Sequence, residues 1–345
     1  MKRIFITGIC GFLGSNLALY FQSLGYKVYG IDNLSRRGSE KNFKILKNRN
    51  IKIFKADLKK SNSINLFKKE KSFAAFIHCA ALTSVLDGTN NISTEFLYEN
   101  NILSTLNSLR LCKFLKSKFI YISSSRVYSI NKLNELKFRI AKNKFQLINK
   151  KNHTTSSEGV NENFSVNSPL SLYGSSKLMC ENLVAEYCNF NNIRFVINRC
   201  GLLAGSGQLF KNDQGIISYW INSWKKRKKL NYIGFGGNGY QVRDCLHPED
   251  LSNLINQQIK FLYKKKLKEK IFNVSGGAKS AFSLKELSQW CSKNIFFKKV
   301  GYQNKIRPFD LKWIILDNTK VKKFFQWKIK ISKTEIFEDI LFNDD

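Results

Sequence analysis

The most constraining feature of this 345-residue chain is the stretch TGICGFLGS at residues 7–15, which stands between a β-branched run, Arg3 to Thr7, and an apolar run, Leu17 to Phe21. Gly8, Gly11 and Gly14 are spaced three residues apart. Glycines between a strand and a helix let the backbone turn tightly and approach an anion, which then meets the N–H groups and positive dipole end at the helix N-terminus. The basic start, Lys2 and Arg3, ahead of apolar residues also has the outline of an export signal. The next strand-like run decides between the two readings. Lys27 to Ile31 leads into Asp32, 18 residues past Gly14, where a carboxylate accepts hydrogen bonds from the hydroxyls of an adenine ribose.

The same theme recurs through the first 200 residues. Ile51 to Lys55, Ala75 to His78, Lys118 to Ser123 and Arg194 to Asn198 read as further strands, with helical spacing between them at Ser15 to Ser23 and Asn91 to Phe114. Strands alternating with helices predict right-handed crossovers and hence an α/β, doubly wound parallel sheet, the Rossmann fold. Beyond residue 200, Gly-rich turns (AGSGQ, GFGGNGY) and basic runs predict a smaller, mixed substrate domain. The expected division is 1–200 and 201–345, with Lys270 to Val274 returning to the main sheet. Residues 129–168 are polar, irregular and too long for an ordinary connection, so they are expected to form a lid or specificity element.

Composition narrows the function classes. With 43% hydrophobic residues the chain has material for a core, and no apolar run is long enough to cross a bilayer. Eight scattered cysteines without a C-x-x-C pair, and three widely separated histidines, predict no disulfide framework and no metal. The expected setting is the cytoplasm. A net charge of +33, with runs at Lys225 to Lys229 and Lys264 to Lys270, would attract polyanions. Because the excess is spread along a chain rich in Lys, Asn, Ile and Phe, it is read as solvated surface. Neither a membrane nor a specific nucleic-acid partner is expected.

The glycine turn and Asp32 predict a dinucleotide cofactor. A carboxylate at residue 32 repels a 2′-phosphate, which favours NAD, while Arg36 and Arg37 keep NADP as the alternative. Gly8, Gly11, Phe12, Leu13 and Gly14 are the candidate pyrophosphate contacts, with Asp32 and Asn33 at the ribose. Asp57, closing the third strand, is a candidate for the adenine amino group, with a helix N-cap role as the alternative; Leu58 and Ala80 are further candidate cofactor contacts. TGICGFLG, DNLSRRGSEKN and HCAA together resemble the extended short-chain dehydrogenase/reductases, in their nucleotide-sugar epimerase/dehydratase branch. The stretch DNLSRRGSE is similar to that of the CDP-paratose (CDP-tyvelose) 2-epimerases.

That resemblance implies a Y-x-x-x-K pair, and the chain offers two: Tyr128 with Lys132, and Tyr173 with Lys177. Tyr128 follows the fifth strand with no helical pattern to hold Lys132 beside it. Tyr173, Lys177, Cys180, Val184 and Tyr187 share one helical face, with Ser168 expected to cap that helix and Pro169 to take its first position. Tyr173 is therefore the expected base, and Lys177 and the nicotinamide its stabilising charges. The resemblance also implies that Ser124 hydrogen-bonds the reacting hydroxyl and that Asn101, in ENNILSTLNSL, supports the helix and cofactor. Dehydratases of the family place an Asp-Glu pair where Ser125 and Arg126 stand, which argues against elimination of water.

The candidate substrate contacts are Arg126, Arg199 in RCG, Arg243 in QVRDCLHPEDL, and Arg307 in RPFDLKWIILDNTKVKKFFQW. A planar guanidinium suits a bidentate grip on a diphosphate. Asp244 and His247 are expected to orient that loop. The function expected is a nucleotide-sugar epimerase that oxidises the sugar transiently to a ketone and reduces it again; a UDP-sugar 4-epimerase or another sugar-nucleotide oxidoreductase is the alternative, and the resemblance implies a homodimer.

Overall fold

Seven strands build the main sheet: β1 (Arg3–Thr7), β2 (Lys27–Asp32), β3 (Lys52–Lys55), β4 (Ala75–His78), β5 (Phe119–Ser124), β6 (Phe195–Cys200) and β7 (Ile271–Val274). Their order is β7-β6-β5-β4-β1-β2-β3, so the sheet grows outward in both directions from β1, the doubly wound pattern. The computed structural model describes residues 2–60, 65–67, 70, 72–88, 92–148, 152–209, 214–264, 267–304 and 307–344. Residues 265 and 266 of the second basic run, and 210–213 of the segment GQLFKNDQGI, lie outside them.

The register is parallel, with Phe5 opposite Tyr29 and Phe76. Strands covered on both faces must be apolar along their whole length, and Ile4, Phe5, Ile6, Ala75, Phe76 and Ile77 are all fully buried. Phe5 and Phe76 stack at 4.9 Å. On the catalytic-candidate side, the helix Leu172–Phe190 lies against the sheet with Cys180, Val184 and Cys188 in the core. It begins at Leu172, so Ser168 and Pro169 precede it instead of capping it. The Pro169 carbonyl receives Ile130 N–H at 3.1 Å, a bond within the loop.

The chain divides into two compact units, and not by a single cut at residue 200. The first comprises Met1–Ser124, Leu172–Arg199 and Pro248–Phe272; the second comprises Ser125–Ser171, Cys200–His247 and Asn273–Asp345. The helix Pro248–Lys264 belongs to the first because it packs against the helix Phe12–Ser23, with Tyr26 Oη donating to Asn256 Oδ1 at 3.4 Å.

Residues 125–171 belong to the second unit because they are bonded into it. Phe138–Ala141 and Lys144–Leu147 form a hairpin, as do Thr155–Ser156 and Gly159–Val160. Val160 exchanges backbone bonds with Ile315 and Asp317, each 2.8 Å, and Phe145 N–H reaches Tyr240 O at 3.0 Å. The stretch expected to be a lid is thus anchored at several points, by pairings too distant in sequence for local pattern to show.

Candidate active site

Parallel strands place all their C-terminal ends on one edge of the sheet, where the first unit collects its candidate residues. Gly8 follows β1, Asp32 ends β2, Asp57 follows β3, Ala80 follows β4 and Ser124 ends β5. The turn after β1 is closely fitted. Gly8 has φ +64, and a Cβ on it would meet Ala80 N and Cα at 2.9 Å; a Cβ on Gly14 would lie 2.1 Å from Gly8 O. The helix Phe12–Ser23 starts at Gly11 without a side-chain cap, so Phe12 and Leu13 form a first turn whose backbone is left to present N–H groups to an anion.

Asp32 Oδ2 accepts Cys10 N–H at 2.9 Å and Oδ1 accepts Leu34 N–H at 2.8 Å. Burial pushes its carboxyl pKa up, against the two N–H bonds, which lower it. Asn33 Oδ1 closes a turn on Ser35 N–H at 3.1 Å and Asp57 Oδ1 does the same on Lys59 N–H at 2.9 Å. Leu58 is buried, with its carbonyl taken by Asn107 Nδ2 at 2.7 Å. Ala80 N–H donates to Thr7 Oγ1 at 3.3 Å. A bare helix N-terminus behind a turn with no room for a Cβ at Gly8 or Gly14, with a carboxylate on the neighbouring strand, fits the pyrophosphate and ribose of NAD.

The second half of the site is the meeting of β5 with the helix Leu172–Phe190. Tyr173 and Lys177 are 7% and 4% exposed. Lys177 Nζ donates to Ile122 O at 2.6 Å and stands 4.3 Å from the centre of the Tyr121 ring, which fixes the ammonium against β5, the strand that ends at Ser124. Asn101 lies in a π-helical turn, Glu99–Leu103. Its side chain exchanges bonds with both backbone groups of Leu82 and donates to Ser176 Oγ at 2.9 Å. Asn101 thus ties the loop after β4 to the helix carrying Tyr173.

The rival pair is placed differently. Tyr128 is buried in the second unit, its hydroxyl donating to Asn273 Oδ1 at 2.6 Å and its ring edge-on to Phe164. Lys132 is exposed and paired with Glu135 at 2.8 Å.

Of the four candidate arginines, Arg199 requires correction. It is 5% exposed and its guanidinium grips Glu181, with Nε 3.1 Å from both carboxylate oxygens and Nη2 2.8 Å from Oε2. Glu181 Oε1 also accepts Ser123 Oγ–H at 2.5 Å. This internal ion pair joins β6, the helix and β5, and Arg199 is not presented to a ligand. Sequence reading missed Glu181, although it stands four residues beyond Lys177 and eight beyond Tyr173, on their helical face.

In the second unit, Arg243 Nη2 pairs with Asp310 Oδ1 at 3.0 Å and Nη1 donates to Val242 O at 2.7 Å. Burial pushes its pKa down, and the nearby Arg307 guanidinium adds to that effect. Arg126 Nη1 donates to Phe309 O at 3.1 Å. Asp244 is buried and accepts Ser275 Oγ–H, Gly277 N–H at 3.1 Å and Leu316 N–H at 3.2 Å, which makes it a loop organiser. His247 Nε2 lies 3.4 Å from Asp339 Oδ2, which also accepts Ser206 N–H at 2.6 Å. Among the described residues no cluster could hold a metal ion, and no helix is long and apolar enough to cross a membrane.

Residues 4–275 match the NAD dependent epimerase/dehydratase family. The chain belongs to that family. It is an NAD-dependent enzyme of the sugar-nucleotide epimerase type. It is 27% identical to the CDP-paratose 2-epimerase of Salmonella typhi, over 96% of this chain and 95% of that protein. It is 32% identical to the dTDP-D-glucose 4,6-dehydratase of Dictyostelium discoideum, over 73% of this chain and 54% of that protein. Its fold is that of the UDP-glucuronic acid 4-epimerase of Bacillus cereus, solved in complex with UDP-glucuronic acid and NAD, with a TM-score of 0.77 at 23% identity over 99% and 98% of the two chains.

Proposed function

We propose that this chain inverts one carbon of a nucleotide sugar, C2 of a CDP-linked sugar in the first instance, using Tyr173 as the proton-transfer group. The observation that carries the reading is the Tyr173–Lys177 pair, buried on one helical face with Lys177 bonded to β5, the strand whose C-terminal end lies on the same sheet edge as the glycine turn and Asp32. Near full-length similarity to a CDP-paratose 2-epimerase supports the base and the carbon.

Gly8, Gly11, Phe12, Leu13 and Gly14 would hold the pyrophosphate of NAD, Asp32 and Asn33 its ribose, and Asp57, Leu58 and Ala80 the adenine side, with Asn101 supporting the helix that carries Tyr173. When bound, NAD supplies a reversible acceptor for the hydride of the sugar carbon. Tyr173 takes the hydroxyl proton as the carbon is oxidised and returns it after the sugar has turned over. An unperturbed phenol titrates near 10, so acting near neutrality requires about 4 kcal/mol of phenolate stabilisation; the Lys177 ammonium is held in place for that task. Ser124 orients the reacting hydroxyl. Arg243 and Arg307, two neighbouring guanidiniums, suit a diphosphate, and Arg126 is the third candidate contact.

Ser125 and Arg126 follow Ser124 where elimination would need an acid and a base, so the similarity to a dehydratase does not extend to that chemistry. Eight free cysteines support a reducing, cytoplasmic setting. A homodimer is the proposed assembly: Phe96, Leu103, Phe114, Met179 and Phe190 are exposed on the helical segments Thr94–Phe114 and Leu172–Phe190, which pack against each other through contacts such as Asn101–Ser176. The test is incubation of the purified protein with CDP- and UDP-sugars, without added NAD, read by NMR. An epimer accumulating to equilibrium is expected. A product formed only with stoichiometric NAD would refute the reading.

A further inference from the structure

The basic run Lys225 to Lys229 acquires a partner in the folded chain. The segments 214–243 and 287–309 contain no Asp or Glu, and the second unit brings them together. Asn231–Ile233 pairs in parallel with Gly301–Gln303, placing Tyr232 opposite Tyr302. Trp224 Nε1 donates to Phe296 O at 2.9 Å, and Lys298 Nζ donates to Lys228 O. Lys226, Arg227, Lys228, Lys229, Lys293, Lys298 and Lys299 therefore share one face, all but Lys298 exposed. Lys225 is set apart from them, its ammonium donating to Leu341 O and Asp344 O.

Two large aromatic side chains stand out of this face, Phe297 at 85% and Tyr302 at 74% exposure. The rings behind Phe297 already carry cations: Arg227 lies 4.7 Å from the centre of Phe296 and Lys298 lies 5.4 Å from that of Trp224. Phe297 is left as the outward ring, followed directly by Lys298 and Lys299. A genomic bias toward lysine accounts for the number of cations. It does not account for two segments without Asp or Glu being brought together under an exposed apolar ring.

We infer that this face docks on an anionic lipid surface, with Phe297 entering the headgroup layer and the lysines meeting lipid phosphates. Nucleic acid is the weaker fit. Six of the seven cations are Lys, point charges without the planar fork that reads phosphate and base edges, and Phe297 offers no polar edge to a base. Lysine with an exposed aromatic is the combination by which soluble domains rest on membranes. The inference is independent of the proposed reaction.

The test is flotation of the full chain with vesicles of equal parts phosphatidylglycerol and phosphatidylcholine, against vesicles of phosphatidylcholine alone. Binding to the first only is expected. Lys226→Gln/Lys229→Gln/Lys299→Gln should weaken it about 100-fold, whereas Lys41→Gln/Lys44→Gln/Lys47→Gln, exposed positions of the first unit, should change it less than about threefold. Phe297→Ser, which leaves the charge intact, should cost about tenfold. Equal losses from the two triple variants, or unchanged binding by Phe297→Ser, would overturn the proposal. Tighter binding to a polyuridine RNA than to the vesicles, lost with the first triple variant, would overturn it in favour of nucleic acid.

Discussion

Gly14→Ala tests whether the turn after β1 is the cofactor cradle it is taken to be. The new methyl would sit 2.1 Å from Gly8 O and 2.8 Å from Gly8 C and Ile9 Cα, whereas an ordinary carbon–oxygen contact is at least about 1 Å longer than the first of these. All three neighbours are backbone, so the helix Phe12–Ser23 must slide away from the turn. Overpacking of this kind costs about 2–3 kcal/mol, or a melting point lower by roughly 5 °C for a chain of this size. The helix N-terminus moves with it; losing two charge-assisted bonds to the pyrophosphate, at about 1.5 kcal/mol each, weakens NAD about 100-fold. Gly25→Ala is the control, since Gly25 has φ +78 and nothing within 4 Å of its Cβ. It carries only the left-handed strain, about 1 kcal/mol. NAD content of the purified proteins, read by absorbance after denaturation, separates the two. Wild-type NAD retention by Gly14→Ala, or an equal loss in Gly25→Ala, would show that this turn is not the cofactor cradle.

Tyr173→Phe should abolish turnover while NAD stays bound, whereas Tyr128→Phe should lose about 1 kcal/mol of stability from the Asn273 bond and less than about tenfold in turnover; equal losses of turnover would show that the wrong tyrosine carries the chemistry. Glu181→Gln leaves the Arg199 charge buried and should cost about 3–5 kcal/mol by chemical denaturation, with Glu181→Gln/Arg199→Met recovering at least half; a normal stability with a raised KM would return Arg199 to the substrate side. Burial, reinforced by the Lys177 charge, pushes the His78 imidazole down to about 3. Between that value and its unfolded value of about 6.5 the unfolded chain binds the extra proton, so stability should fall by about 1.4 kcal/mol per unit as pH drops below 6.5. His78→Asn should flatten that slope, and an unchanged slope would contradict the assignment.

What was legible in the sequence was local. Strands buried on both faces must be continuous apolar runs, so β1 and β4 begin and end where their residues change character, and Gly8, Asp32 and Tyr173 are found at the strand ends and helix face that spacing implies. What was hidden depends on partners distant in sequence. Arg199 looks like a ligand contact until Glu181 is placed beside it, and residues 129–168 look like a lid until Val160 pairs with the 315–317 strand end. Pro169 looks like a helix start until its carbonyl is engaged by Ile130. No periodicity announces such pairings, because each is chosen by the packing of the finished fold. The boundary at residue 200 failed for the same reason: the helix Pro248–Lys264 carries an apolar face that packs on the helix Phe12–Ser23, more than 220 residues earlier.

In the proposed reaction Tyr173 moves a proton while the sugar's carbon-bound hydrogen is removed and returned without meeting water. Running the reaction in D2O with a CDP-sugar substrate, and reading the epimer by mass and NMR, tests it directly. The inverted carbon should keep its original hydrogen, with no net change of NAD. Deuterium at the inverted carbon would show that the hydrogen had been exchanged with water, and would contradict the proposed reaction.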